Sequence, residues 1–261
     1  MKSRDRANQS QHDQQQFRAA SELFFEDVGG EWNKETIRPA GTIDLIEALE
    51  AFPRYVSKAC LSKLLLRTDI FRNHVLPIHG DIVECGVLHG ASLFLWAKLS
   101  AIFEPVNHTR RIVGFDTFEG FQTFHDKDAG TPFKPGDLRG LSLERMTAAV
   151  DVFDLNRPLS HIPKVELVKG DLAQTAKEYV AANPHLIVAM LNLDVDLYEP
   201  TMAALEAFVP LMPRGGVIIF DEAAYKNFPG ESVALREYFK GKIPKLQRMP
   251  YTSMTSFAVL E

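Results

Sequence analysis

An α/β fold, a Rossmann-like doubly wound sheet with helices on both faces, is predicted by three observations. From about residue 80, short β-rich runs alternate with helical ones, the pattern of a mostly parallel sheet. The turn after the first run carries Gly86 and Gly90, and the runs end at or beside acids. The chain has 261 residues and 46% hydrophobic composition, enough for a sizeable core.

The elements follow in order. The opening "MKSRDRANQSQHDQQQ" is too polar to offset its ordering entropy, so residues 1–20 are expected to be a disordered tail. Residues 21–78 are expected to form an N-terminal helical segment. Helical spacing begins in "TIDLIEALEAF", with Thr42 as its N-cap, and resumes after Pro53 in "YVSKACLSKLLLRTDIFRNHVL". Residues 79–261 then form the main domain. Its strands are "DIVECG", "RRIVGFD", "VELVKG", "LIVAMLNLD" and "GVIIFDE". Helices fall between them, as in "ASLFLWAKLSAIF" and "TMAALEAFVPLM", and "SVALREYF" follows the fifth strand. "LQRMPY" with "TSFAVLE" reads as a closing hairpin. Residues 120–140 have no periodicity and follow a strand end, which makes them a candidate lid, with His125 as a candidate second base.

Bulk properties narrow the function. A net charge of -5 offers no basic field for nucleic acid. The two cysteines, Cys60 and Cys85, are far apart and suggest neither a disulfide framework nor zinc. The N-terminus lacks the apolar core of a signal peptide, and no run is long enough to span a bilayer. A cytoplasmic protein with no membrane partner is expected.

Ligands of open α/β sheets bind beyond the carboxyl ends of the strands. Glu84 lies in the first strand, Asp116 ends the second, Asp171 follows the third, Asp194 ends the fourth, and Asp221 with Glu222 ends the fifth. Carboxylates at that density repel one another and call for hydroxyls, amines or metal ions among them. The glycine spacing does not fit G-x-G-x-x-G, and "VLHG" lacks a P-loop lysine, which disfavours a nicotinamide cofactor and ATP. A cofactor with a ribose and a cationic amino-acid tail fits better: S-adenosylmethionine, with Asp116 on the ribose and Glu84 favouring the positive end. Asp194, Asp221 and Glu222 can give a hard cation such as Mg2+ three carboxylates, provided their strands are neighbours, while Asp196 is free to point elsewhere.

The motifs "GDIVECGVLHGAS", "GFDTFEGF", "LNLDVDLYEPTMAAL" and "PRGGVIIFDE" resemble those of the macrocin O-methyltransferase family. The resemblance covers about residues 80–240. It implies a seven-stranded sheet with its last strand antiparallel and an S-adenosylmethionine- and magnesium-dependent enzyme. The implied acceptor is a sugar hydroxyl of a natural product or a nucleotide-linked deoxysugar. It makes Asp194, Asp221 and Glu222 metal ligands and Asp194 also the general base. The implied cofactor-binding positions are Glu84, Cys85, Gly86, Gly90, Ser92, Asp116, Thr117, Gly170, Asp171 and Asp194. Asp171 departs from the family, which commonly has an aromatic residue there. The resemblance also implies a homo-oligomer, most simply a dimer. A catechol or other vicinal diol as acceptor, and a non-catalytic S-adenosylmethionine-binding protein, remain alternatives.

Overall fold

The computed structural model describes residues 31–32, 37–38, 49–252 and 254–261. It divides into two compact units, Met1–Ser62 and Lys63–Glu261. In the first, Glu31–Trp32 pairs antiparallel with Ile37–Arg38. A single-turn helix α1 (Phe52–Tyr55) carries Pro53 at its start, where a missing N–H costs nothing. The expected tail and the Thr42 cap lie outside the described residues. Helix α2 (Lys58–Ile70) begins in the first unit and continues into the second.

The second unit is built on β1 (Asp81–Cys85), β2 (Ile112–Asp116), β3 (Val165–Lys169), β4 (Val188–Leu193), β5 (Val217–Phe220) and β6 (Ser256–Val259). The sheet order is β3-β2-β1-β4-β5-β6, parallel except for β6, which runs antiparallel to β5. Helices α3 (Ala91–Phe103), α4 (Leu143–Leu155), α5 (Leu172–Ala182), α6 (Tyr198–Phe208) and α7 (Pro229–Tyr238) supply the connections. The compact unit starts at Lys63, and Leu66, Ile70, Phe71 and Val75 belong to its core.

Burial on both faces explains why the strands read as continuous apolar runs. Alternation sends Ile82, Met190 and Ile219 to one core cluster with Phe71 and Trp96. It sends Val83, Leu191 and Ile218 to the other, with Phe115 and Phe208. The expected seventh strand is a correction. Its place beyond β6 is held by one antiparallel bridge, Gln247↔Phe257. Pro244 and Pro250 flank that bridge, and a residue without an N–H cannot extend a ladder. Among the described residues, no helix is long and apolar enough to cross a membrane.

The strand order reverses between β1 and β4, and this switch point opens a crevice at their carboxyl ends. Cys85 pairs with both Phe115 and Leu193, and Leu193 pairs with Phe220. The next residue on each strand is Asp116, Gly86, Asp194 and Asp221, so the parallel register sets these four in one row.

Phe208 is fully buried, with its ring 5.4 Å from that of Phe115. Phe208→Ala is expected to lower unfolding free energy by about 3–5 kcal/mol in guanidinium titration, and a loss below about 1 kcal/mol would contradict this packing.

Candidate active site

The crevice holds a cavity of about 440 Å³ lined from the first turn, the ends of β2 to β5 and the loop after β2. Gly86 has φ 89°, and a Cβ there would lie 1.9 Å from the Asp194 carbonyl oxygen. Only glycine lets β1 and β4 approach this closely. Asp116 then shapes the turn. Its Oδ2 accepts from the Val87 and Leu88 amides at 2.7 and 2.9 Å, and its Oδ1 accepts from the Phe118 amide at 2.7 Å. A carboxylate has about four lone-pair positions, so roughly one is left for a ribose hydroxyl.

The other expected cofactor positions divide into lining and support. Gly86, Ser92, Asp116, Thr117, Gly170, Asp171 and Asp194 line the cavity. Glu84 lies behind it, fully buried, accepting from Ser92 Oγ at 2.9 Å, Trp96 Nε1 at 2.9 Å and Asn192 Nδ2 at 3.2 Å. Burial pushes its carboxyl up to about 8. Glu84 therefore meets the cavity wall through Ser92. The Cys85 side chain packs in the core, since alternation turns it away from the crevice, so only its backbone serves the site: its carbonyl accepts from the Asp194 amide at 2.9 Å. Gly90, in the left-handed region at φ 79°, begins α3 behind the lining. Asp171 caps α5 by accepting from the Ala173 amide at 2.9 Å.

Asp194, Asp221 and Glu222 each offer an oxygen, all within 4.8 Å of one another. Glu222 Oε2 is buried without a hydrogen-bond partner among the described residues. Three hard oxygen donors with one orphaned buried oxygen suit Mg2+ or a similar hard cation. Lys63 and Arg67 of α2 approach the same carboxylates. Lys63 Nζ lies 2.6 Å from Asp221 Oδ2, and Thr255 Oγ1 donates to Asp221 Oδ1 at 2.7 Å. Burial works against the Asp221 charge, but Lys63 and Arg67 hold its carboxyl below the usual range.

Burial, reinforced by the Asp221 charge, pushes Asp194 up to about 7 and Glu222 up to about 8. Asp196 does not point elsewhere. It lines the cavity with φ 62°, and burial and Asp194 push it up to about 7. A non-glycine residue in this region is a strained position of the kind that clusters at functional sites. Glu231, fully buried in α7, accepts from the Glu222 amide at 3.2 Å and so fixes the backbone beside a candidate ligand.

The loop after β2 is built and anchored. Phe121 and Phe133 line the cavity, and Phe133 stacks on Phe228 with ring centroids 5.2 Å apart. Asp128, 3% exposed, accepts from the Tyr198 amide at 2.8 Å and from the His125 amide at 2.9 Å, pinning the loop to the start of α6. His125 is not among the lining residues. Its Nδ1 accepts from the Lys127 amide at 3.1 Å and so caps a 3-10 turn. The residues missed by sequence reasoning are Lys63, Arg67, Asp128 and Glu231. Lys63 and Arg67 sit four apart on α2, a spacing that places both on one helix face, but nothing in that spacing identifies their target.

Residues 63–244 match the profile of the Macrocin-O-methyltransferase (TylF) family. The chain is 30% identical over 151 residues to 8-demethyl-8-(2,3-dimethoxy-alpha-L-rhamnosyl)-tetracenomycin-C 4'-O-methyltransferase of Streptomyces olivaceus, covering 56% of this chain and 54% of that protein. It is 27% identical over 172 residues to demethyldecarbamoylnovobiocin O-methyltransferase of Streptomyces niveus, covering 65% and 61%. The matches thus span less than two thirds of either relative. The crystal structure of a calicheamicin methyltransferase superposes with TM-score 0.78 at 31% identity, over 84% of this chain and 86% of that one. The apo form of that enzyme, a TDP-rhamnose 3'-O-methyltransferase, gives 0.71 at 30% identity, over 84% and 88%.

The raised carboxyls set a pH dependence. Asp194, Asp196 and Glu222 keep protons in the folded state, over the range from about 4 to 8, that the unfolded chain would release. With no divalent cation present, these groups make stability fall as pH rises through that window. Asp196→Asn should flatten the fall in Tm measured by calorimetry in EDTA. A wild-type slope unchanged by this substitution would contradict the assignment.

Proposed function

The chain belongs to the macrocin O-methyltransferase family, and we propose that it transfers a methyl group from S-adenosylmethionine to a sugar hydroxyl with the help of a divalent cation, Mg2+ being the natural choice. The observation that carries this reading is the cluster of Asp194, Asp221 and Glu222 oxygens within 4.8 Å at the ends of neighbouring strands, level with the glycine turn. A sugar acceptor is supported by the relatives, whose names include a rhamnosyl-tetracenomycin 4'-O-methyltransferase and a TDP-rhamnose 3'-O-methyltransferase.

When bound, the cofactor supplies an electrophilic methyl group on sulfur, and the cation supplies a Lewis acid that orients an acceptor hydroxyl and lowers its pKa. The chain does the rest. Gly86 and Ser92 shape the cofactor side, and Asp116 offers its remaining lone pair to a ribose hydroxyl. Asp194, Asp221 and Glu222 would hold the cation. Asp194 ends β4 between the cofactor turn and Asp221, where its carboxylate can take the proton released by the acceptor hydroxyl. The stacked Phe133 and Phe228 rings form an apolar wall that limits water beside the acceptor. The gain is mainly positional: a nucleophile held in line with the methyl group converts an encounter into a unimolecular step.

The test is methyl transfer to a panel of nucleotide sugars and glycosides, with Mg2+ removed by EDTA and restored. Asp221→Asn should lower kcat/KM by at least about 100-fold while S-adenosylhomocysteine affinity stays within about threefold. Asp194→Ala should abolish turnover and leave cofactor binding nearly intact. Near-normal turnover in either variant, or full activity in EDTA, would sink this mechanism.

A further inference from the structure

We propose that Arg67 binds the carboxylate of the cofactor's amino-acid tail, an inference that rests on the S-adenosylmethionine reading above. Arg67 lies on α2 and lines the cavity, yet its side chain is 7% exposed. A buried guanidinium with five donors is ordinarily saturated, because an orphaned donor costs its full desolvation. Among the described residues, Arg67 has only two approaches. Its Nη2 lies 3.7 Å from Asp194 Oδ2 and 3.8 Å from Asp221 Oδ1, both beyond hydrogen-bond length. Its Nε is buried with no hydrogen-bond partner among the described residues. The site thus contains a largely buried guanidinium on the cavity wall whose donors have no acceptor at hydrogen-bond length among the described residues.

The chemistry of the amino-acid tail identifies that acceptor. The tail carries one ammonium and one carboxylate. The ammonium has many possible hosts in a cavity lined by Asp116, Asp194, Asp196 and Asp221. The carboxylate would be repelled by the same groups and needs a cation. Of the two lysine or arginine side chains lining the cavity, Lys63 is already bonded to Asp221 at 2.6 Å, which leaves Arg67. Its place also fits. The Arg67 charge acts on Glu84, the carboxylate that accepts from Ser92, and Ser92 lines the cavity at the start of α3. A carboxylate set between Ser92 and Arg67 would meet the amino end of α3 as well, where the helix dipole favours negative charge. A cation held by Asp194 and Asp221 would take over the neutralisation of those carboxylates and leave the guanidinium for the cofactor.

Two ligands isolate the interaction: S-adenosylhomocysteine and its decarboxylated analogue, 5'-deoxy-5'-(3-aminopropylthio)adenosine, which lacks only the carboxylate. Calorimetric titration of the wild-type chain with each, in Mg2+, should show the amino acid binding about 10- to 100-fold tighter, the range of a charge-assisted pair. Arg67→Met should erase that preference by weakening S-adenosylhomocysteine alone, with the analogue's affinity unchanged. Arg67→Lys, which keeps the charge without the fork, should retain part of it. A preference that survives in Arg67→Met and Arg67→Lys overturns the proposal. So does an equal loss of both ligands in Arg67→Met, since an arginine that only supports the fold or balances Asp194 would move both. Equal affinities in the wild type overturn it while leaving the cofactor reading intact. Failure of both adenosyl ligands to bind the wild type would instead remove the cofactor reading itself.

Discussion

Carboxylates that are brought together repel, and the crevice of this protein is organised around that cost. Asp194, Asp196, Asp221, Glu222 and Glu231 come from two strand ends and the helix that follows. The chain answers the repulsion in two ways. Lys63 and Arg67 bring positive charge to Asp221, and burial favours the protonated form of Asp194, Asp196 and Glu222. Neither is a full solution, since Glu222 and Glu231 each keep a buried oxygen without a hydrogen-bond partner among the described residues. A site left incompletely satisfied in this way has the donor chemistry that would suit a hard cation.

The sheet makes the arrangement rigid. Parallel pairing sets Asp116, Gly86, Asp194 and Asp221 one residue beyond matched positions on four neighbouring strands. Their separations are therefore fixed by the ladder and not by loops. The loop after β2 lines the rest of the cavity, and even there the attachment is specific. Asp128 reaches from the loop after β2 to the first amide of α6, and Gly230 leaves space for it: a Cβ at Gly230 would lie 1.9 Å from Asp128 Oδ1. The same helix α7 carries Glu231, so the aromatic wall and the carboxylate cluster share their supports.

Much of this was legible in the sequence because it is periodic or punctuated. The five parallel strands announce themselves as apolar runs, and Asp194, Asp221 and Glu222 stand out as acids closing such runs. Glycine at 86 marks the close approach that the backbone requires. What could not be read depends on long-range contact. The edge strand shrinks to one bridge because of flanking prolines, which a hairpin pattern does not weigh. Whether Asp196 faces the cavity depends on a positive φ that no alternation rule gives. His125 and Asp128 share one short segment, yet only the fold shows the capping turn that they build. Lys63 and Arg67 belong to a helix with little amphipathic contrast, and their targets are strand ends more than a hundred residues away.

The proposal that the three carboxylates hold a divalent cation beside the glycine turn rests on their geometry. Its most direct test is titration with Mn2+ as a spectroscopic substitute for Mg2+, counting bound ion by electron paramagnetic resonance with S-adenosylhomocysteine present. One ion per chain, lost when Asp194 and Asp221 are both replaced by Asn, is the predicted result. Absence of binding up to millimolar Mn2+, or binding that survives the double replacement, would contradict the account.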